Sequence, residues 1–177
     1  MYGRGVQSFI DPSLSWKDIP WFKSITKSKP IHPRPQKRLL KYAPSPVPII
    51  LKGIGCAEDA VLAYEAGVQG IVLSNHGGRQ LDTARSGIEV LVEVVQALRL
   101  RGYYPDPKFE IYVDGGVRRA SDVLKAIALG ATAVGVGRPF LYAFCAYGQE
   151  GVEKAIQIFR VSLSYDHHVG GWQLNWR

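Results

Sequence analysis

Phe109-Glu110-Ile111-Tyr112-Val113 runs into Asp114-Gly115-Gly116-Val117-Arg118, and a stretch of helical period follows over 120–129. A short β-rich run that stops at paired glycines and gives way to a helix reads as one βα unit. The same texture recurs on both sides. Upstream, Pro48-Ile49-Ile50-Leu51 leads into Lys52-Gly53 and a helix over 57–66, with Ala60, Val61 and Tyr64 on one face. Next, Gly70-Ile71-Val72-Leu73 leads into Ser74-Asn75-His76-Gly77-Gly78. A longer helix then starts near Ser86 and spaces Ile88, Leu91, Val92, Val95 and Leu98 helically. Downstream, Ala133-Val134-Gly135-Val136 leads into Gly137-Arg138-Pro139. The four strand runs are nearly all apolar, which predicts parallel strands buried on both faces. Four βα units in a row predict an α/β fold with crossover helices. Pattern alone admits a doubly wound sheet or a barrel. Because every strand ends in its polar or Gly-rich cluster, all the clusters collect on one rim, which favours the barrel.

Outside this core the texture changes. Ser15 can open a helix, with Asp18 three residues on to close a capping box. Residues 27–46 hold Pro30, Pro33, Pro35, Pro44 and Pro46 and no usable period, so they read as a loop or a disordered insert. Residues 161–177, with Gly170-Gly171, do not continue the preceding helical pattern. A chain of 177 residues, 46% of them hydrophobic, is enough for one buried core. The net charge of +7 comes from 23–41, which carries seven basic residues and no acid, leaving a near-neutral remainder as in an ordinary enzyme. With only Tyr42 as a nearby aromatic, that run lacks the stacking support of a nucleic-acid site, and no nucleic-acid partner is expected. Cys56 and Cys145 fit neither a disulfide framework nor a zinc spacing, and His167-His168 have no companion ligands, so no metal is expected. No apolar run is long enough to cross a membrane, and residues 1–9 lack the apolar core of a signal peptide.

Three clusters carry chemistry. The first pairs Asp114-Gly115-Gly116-Val117-Arg118 with Gly135-Val136-Gly137-Arg138-Pro139. Glycines directly after successive strands let backbone N–H groups approach an anion, and the following helix start adds its dipole. Arg118 and Arg138 are then phosphate partners through charge-assisted hydrogen bonds. The bland alternative is a pair of tight βα turns. The second cluster is Ser74-Asn75-His76-Gly77-Gly78-Arg79-Gln80-Leu81-Asp82. Its imidazole can take a proton near neutral pH, and Arg79 can hold a carboxylate bidentately. A structural loop histidine beside a surface arginine is the competing reading. The third is Lys52, weak alone, which as a rim ammonium suits a cofactor ring that becomes negative on reduction.

Together, Leu51-Lys52-Gly53, the Ser74–Asp82 run, Asp114-Gly115-Gly116-Val117-Arg118-Arg119 and Gly137-Arg138-Pro139-Phe140 resemble the FMN-dependent 2-hydroxy-acid dehydrogenases and oxidases. The flanks, from Asp11-Pro12-Ser13-Leu14-Ser15-Trp16 to Tyr147-Gly148-Gln149-Glu150-Gly151, are most similar to the fungal L-lactate dehydrogenases of the flavocytochrome b2 type. The likeness covers about 5–26 and 46–159. It implies the C-terminal half of a (β/α)8 TIM barrel over 1–160; the basic insert at 27–46 and an unrelated disordered tail over 161–177 depart from it. It also implies FMN as cofactor and oxidation of an L-2-hydroxy acid, L-lactate foremost, to the 2-oxo acid. Lys52 would sit against the flavin N1/O2 edge, with Ser74 near the ring. His76 would be the base, and Arg79 would clamp the substrate carboxylate. Asp114, Gly115, Gly116, Val117, Arg118, Gly137 and Arg138 would hold the ribityl chain and phosphate.

The same resemblance implies a haem domain or cytochrome as electron acceptor and mitochondrial placement, and it is compatible with a homo-oligomer. Three departures stand against full activity: the family's earlier strands are missing, the insert interrupts the chain, and the tail diverges after about Arg160. Insert and tail read as translated intron or misjoined exon. The open strand edges at 48–51 and 133–136 favour self-pairing, so the isolated chain is expected to bind FMN poorly. A catalytically silent FMN- or partner-binding fragment and a glycolate-type oxidase are the alternatives.

Overall fold

The structure is a computed structural model that describes residues 13–26 and 47–170, with side chains through Ser164. The insert assigned to 27–46 and the last residues of the tail, 171–177, lie outside the described residues. The chain divides into two units, Met1–Ile49 and Ile50–Arg177. In the first, a 3₁₀ turn at Trp16–Asp18 leads into α1, Ile19–Thr26. The Asp18 carboxylate accepts from the Ser15 N–H at 2.7 Å and from its hydroxyl at 3.1 Å, so Asp18 closes back on Ser15 as its spacing predicts.

The second unit runs β1 (Ile50–Ile54), α2 (Ala57–Glu65), β2 (Gly70–Leu73), α3 (Gly87–Leu100), β3 (Glu110–Asp114), α4 (Ala120–Ala128), β4 (Ala133–Gly135) and α5 (Arg138–Gly170). All strand pairs are parallel and the order is β1-β2-β3-β4. A doubly wound sheet reverses its order at a switch point, whereas a barrel adds each strand beside the last. Four strands in unbroken sequence are part of a (β/α)-barrel wall. Right-handed crossovers then place the helices on one face: α2 packs on β1 and β2, α3 on β2 and β3, and α4 on β4.

β2 is almost wholly buried, as expected of a strand covered on both faces, whereas β1 and β4 are largely open and burial alternates along β3, which corrects that expectation for these three. In β3, Ile111 and Val113 are buried under the helices, while Glu110, Tyr112 and Asp114 are only half-buried on the other face. Register carries that open face across the sheet, because Lys52 pairs with Val72 and Val72 with Tyr112. Polar side chains therefore share it. Tyr112 donates to the Glu110 carboxylate, which pushes the Tyr112 phenol up to about 12.

Two boundaries also move. Lys52, Gly53 and Asp114 lie inside strands rather than after them. The register shifts between Lys52 and Ile54, where Gly53 takes φ 98°. A β-bulge of this kind re-aims a side chain at a strand end. The last helix does not stop near Arg160 but continues to Gly170, after a break at Tyr147-Gly148 where Gly148 has φ 59°. That corrects the tail expectation as far as Gly170. From Val152 to Val169 the sequence holds no Gly or Pro to interrupt the hydrogen-bond ladder.

Carboxylates fasten the helix starts to the sheet rim. Glu89 accepts from the Ser86 hydroxyl and N–H, at 2.7 and 2.8 Å. Glu93 pairs with Arg85 and accepts from the Ala57 N–H at 2.9 Å, while Arg85 also donates to the Gly55 carbonyl. Asp122 accepts from the N–H groups of Arg118 and Arg119, both at 3.0 Å. These bonds hold all three carboxyls below the usual range: the Ser86 hydroxyl acts on Glu89, Arg85 on Glu93 and the Arg118 amide on Asp122. The unfolded chain therefore takes up protons at a higher pH than the folded one. The stability these groups contribute is complete above about pH 5 and lost as pH falls through the depressed folded values. We expect the thermal midpoint followed by circular dichroism to be flat from neutrality to about pH 5 and then to fall. Glu93→Gln should lower the neutral midpoint and flatten the fall. A midpoint that rises on acidification would contradict this.

Candidate active site

One cavity of about 680 Å³ opens at the C-terminal ends of the four strands. Lys52 from β1, His76 and Arg79 from the loop after β2, Asp114 to Arg118 from the end of β3, and Gly137 and Arg138 after β4 all line it. The side-by-side order of the strands brings these four chain segments to one rim.

Hydrogen bonds order the wall. The Lys52 ammonium lies 3.3 Å from Asp114 Oδ2 and donates to Ser74 Oγ at 3.0 Å. Ser74, 6% exposed, accepts in turn from the His76 N–H at 3.1 Å. The buried hydroxyl thus ties the lysine to the backbone of the histidine. His76 has φ 56°, in the left-handed region that non-glycine residues rarely enter. Such strain persists only where the surroundings impose it, and it gathers at functional sites. Asn75 helps to impose it, its side-chain oxygen accepting from the Gly78 N–H at 3.1 Å.

Ser74 does not line this cavity but a neighbouring one of about 600 Å³, which shares Lys52 and His76 with the first. Sequence reasoning gave no role to Asn75 or Asp122. Asn75 fixes the histidine turn, and Asp122 holds the backbone of Arg118. The signal for Asp122 was present, because an acidic residue three positions after a helix-capping residue closes back on the cap.

The wall fits a phosphorylated ring cofactor. Asp114 Oδ1 is buried with no hydrogen-bond partner, an arrangement that costs free energy unless a donor arrives. A ribityl hydroxyl is such a donor. Gly115 and Gly116 take φ 83° and 78°, and a Cβ at Gly116 or Gly137 would meet nothing within 4 Å. That leaves a backbone cradle with room for an anion beside Arg118 and Arg138. Cradle, cations and carboxylate face the same space as the imidazole.

Fold and site together define part of a (β/α)-barrel wall whose strand ends gather a glycine cradle and several cations around one cavity. The family model for FMN-dependent dehydrogenases matches residues 38–173, a span that runs past Arg160. The chain belongs to that family. It is 54% identical to an L-lactate dehydrogenase (cytochrome) of Wickerhamomyces anomalus, over 95% of this chain and 26% of that protein. A peroxisomal (S)-2-hydroxyacid oxidase of Arabidopsis thaliana is 46% identical, over 89% of this chain and 38% of its own length. Among solved structures, the flavin-binding domain of baker's yeast flavocytochrome b2 superposes with TM-score 0.78 at 48% identity, covering 93% of this chain and 37% of that one. A mandelate oxidase gives 0.71 at 38% identity, over 89% and 38%. The chain thus spans 26% to 38% of the length of these two relatives.

Proposed function

We propose that this chain supplies the phosphate grip and the acid–base end of an FMN-dependent site that oxidises an L-2-hydroxy acid to the 2-oxo acid. The observation that carries the reading is the convergence of Lys52, His76, Arg79, Arg118 and Arg138 on a single cavity. When bound, FMN supplies the acceptor for the two electrons that leave the substrate. Arg118, Arg138 and the amides at Gly115, Gly116 and Gly137 hold its phosphate, and Asp114 takes a hydroxyl of its ribityl chain. Lys52, kept in place by Asp114 and Ser74, sets a positive charge toward the ring edge that gains negative charge. Arg79 grips the substrate carboxylate with its planar fork, and His76 removes a substrate proton.

L-lactate is the substrate favoured by the 54% identity to the cytochrome-linked L-lactate dehydrogenase, against 46% to the hydroxyacid oxidase. A cytochrome is the acceptor that goes with it. The test is a fluorescence titration of the chain with FMN, followed by anaerobic addition of L-lactate or glycolate. Weak FMN binding, as the open strand edges predict, with bleaching by L-lactate of the flavin that does bind, is the expected result. Flavin that binds and stays coloured with both acids would make this a silent binding domain, and bleaching by glycolate in preference to L-lactate would make it a glycolate-type oxidase.

A further inference from the structure

We propose that Arg138 is a positioning residue, coupling the phosphate end of the cavity to the backbone of the His76 turn. Its Nη2 donates to the Gly77 carbonyl at 2.6 Å, a short charge-assisted bond between segments 61 residues apart. Gly77 is the middle residue of a turn in which three consecutive residues are left-handed: His76 at φ 56°, Gly77 at 66° and Gly78 at 74°. Ser74 Oγ takes the His76 N–H, and the Asn75 side chain and carbonyl both take the Gly78 N–H. Those partners come from the end of β2 itself. Arg138 reaches in from beyond β4 and takes the Gly77 carbonyl.

The approach depends on glycine. A Cβ at residue 77 would lie 2.9 Å from Arg138 Nη2. A guanidinium carries five donors in a rigid fork, so one nitrogen can stay on Gly77 while others meet phosphate oxygens. A lysine ammonium matches the charge but lacks this fork. An anion that pins Arg138 therefore also pins the turn that presents His76, and by linkage an ordered turn strengthens anion binding by the same factor.

The inference rests on the phosphate placement proposed above. The probe is inorganic phosphate added to the full chain at constant ionic strength, with amide exchange at His76–Gly78 and the His76 imidazole signal followed by NMR. In the native protein, phosphate should slow exchange of the Gly78 and His76 amides by about fivefold or more and shift the imidazole signal. In Arg138→Lys, phosphate should still bind through Arg118 and the new ammonium, but neither readout should respond. A Gly77→Ala variant probes the other side of the contact and should uncouple the two in the same way. Phosphate binding that leaves the native amides unchanged would overturn the coupling alone. Persistence of the response in Arg138→Lys would overturn it equally. Failure of phosphate to bind at all would remove the phosphate site and the coupling together.

Discussion

His76→Asn is expected to lower the turnover of an L-2-hydroxy acid by about 10²–10⁴-fold while FMN still binds. Asparagine is the informative replacement because it tolerates the left-handed backbone that His76 occupies at φ 56°. The turn and its bonds to Ser74 and Asn75 are then retained, and only the imidazole is lost. His76 makes its structural hydrogen bond through its backbone N–H, not its ring. The phosphate cradle belongs to β3, β4 and the residues after them, so cofactor affinity has no reason to follow the imidazole. The measurement pairs steady-state rates with a flavin fluorescence titration. A kcat within a few-fold of the native value would remove His76 from the chemistry. Loss of flavin binding alongside activity would make the residue structural.

Much of this site was legible because its chemistry sits where backbone constraints are strongest. Gly115-Gly116, at positive φ beyond Asp114, can scarcely be anything but a turn at a strand end, and the helices that follow were placed to within a residue or two. Four things were not legible, each for a physical reason. Strand ends were drawn early at Lys52 and Asp114 because a charged residue breaks an apolar run, although a half-open sheet face accommodates it. The alternation Glu110, Tyr112, Asp114 was present in the sequence, but Ile111 and Val113 between them made the run read as uniformly apolar. The bond from Arg138 to Gly77 joins residues that only the strand order makes neighbours, so no local pattern could announce it. The helix past Arg160 was missed because its residues lack a clean apolar stripe, whereas its continuity depends on the absence of breakers.

The largest effect expected away from the site is that of Leu91→Ala, a loss of about 2–5 kcal/mol of unfolding free energy. Leu91 is 0% exposed, on the face of α3 that also buries Val90, Val94, Val95 and Leu98. This helix is the central brace of the sheet, lying on β2 and β3 and against α2. Its first residue is pressed hard against the rim: a Cβ on Gly87 would stand 2.5 Å from the Leu73 carbonyl and 3.2 Å from that of Asp114. Both carbonyls belong to strand ends that present site residues, since Ser74 follows Leu73 and Asp114 carries the orphaned carboxylate oxygen. A cavity under Leu91 therefore loosens the seat of the residues that hold Lys52. Domains of this size have about 5–15 kcal/mol in hand, so the variant should shift the urea midpoint steeply. Leu100→Ala, at an 80% exposed position on the same helix, should stay within about 0.5 kcal/mol of the native protein. Because ligand binding stabilises the folded state by mass action, FMN added in excess should restore part of the lost midpoint in Leu91→Ala. Equal midpoints for the two variants would mean that α3 does not brace the sheet, and the placement of Ser74 and Asp114 would then need another cause.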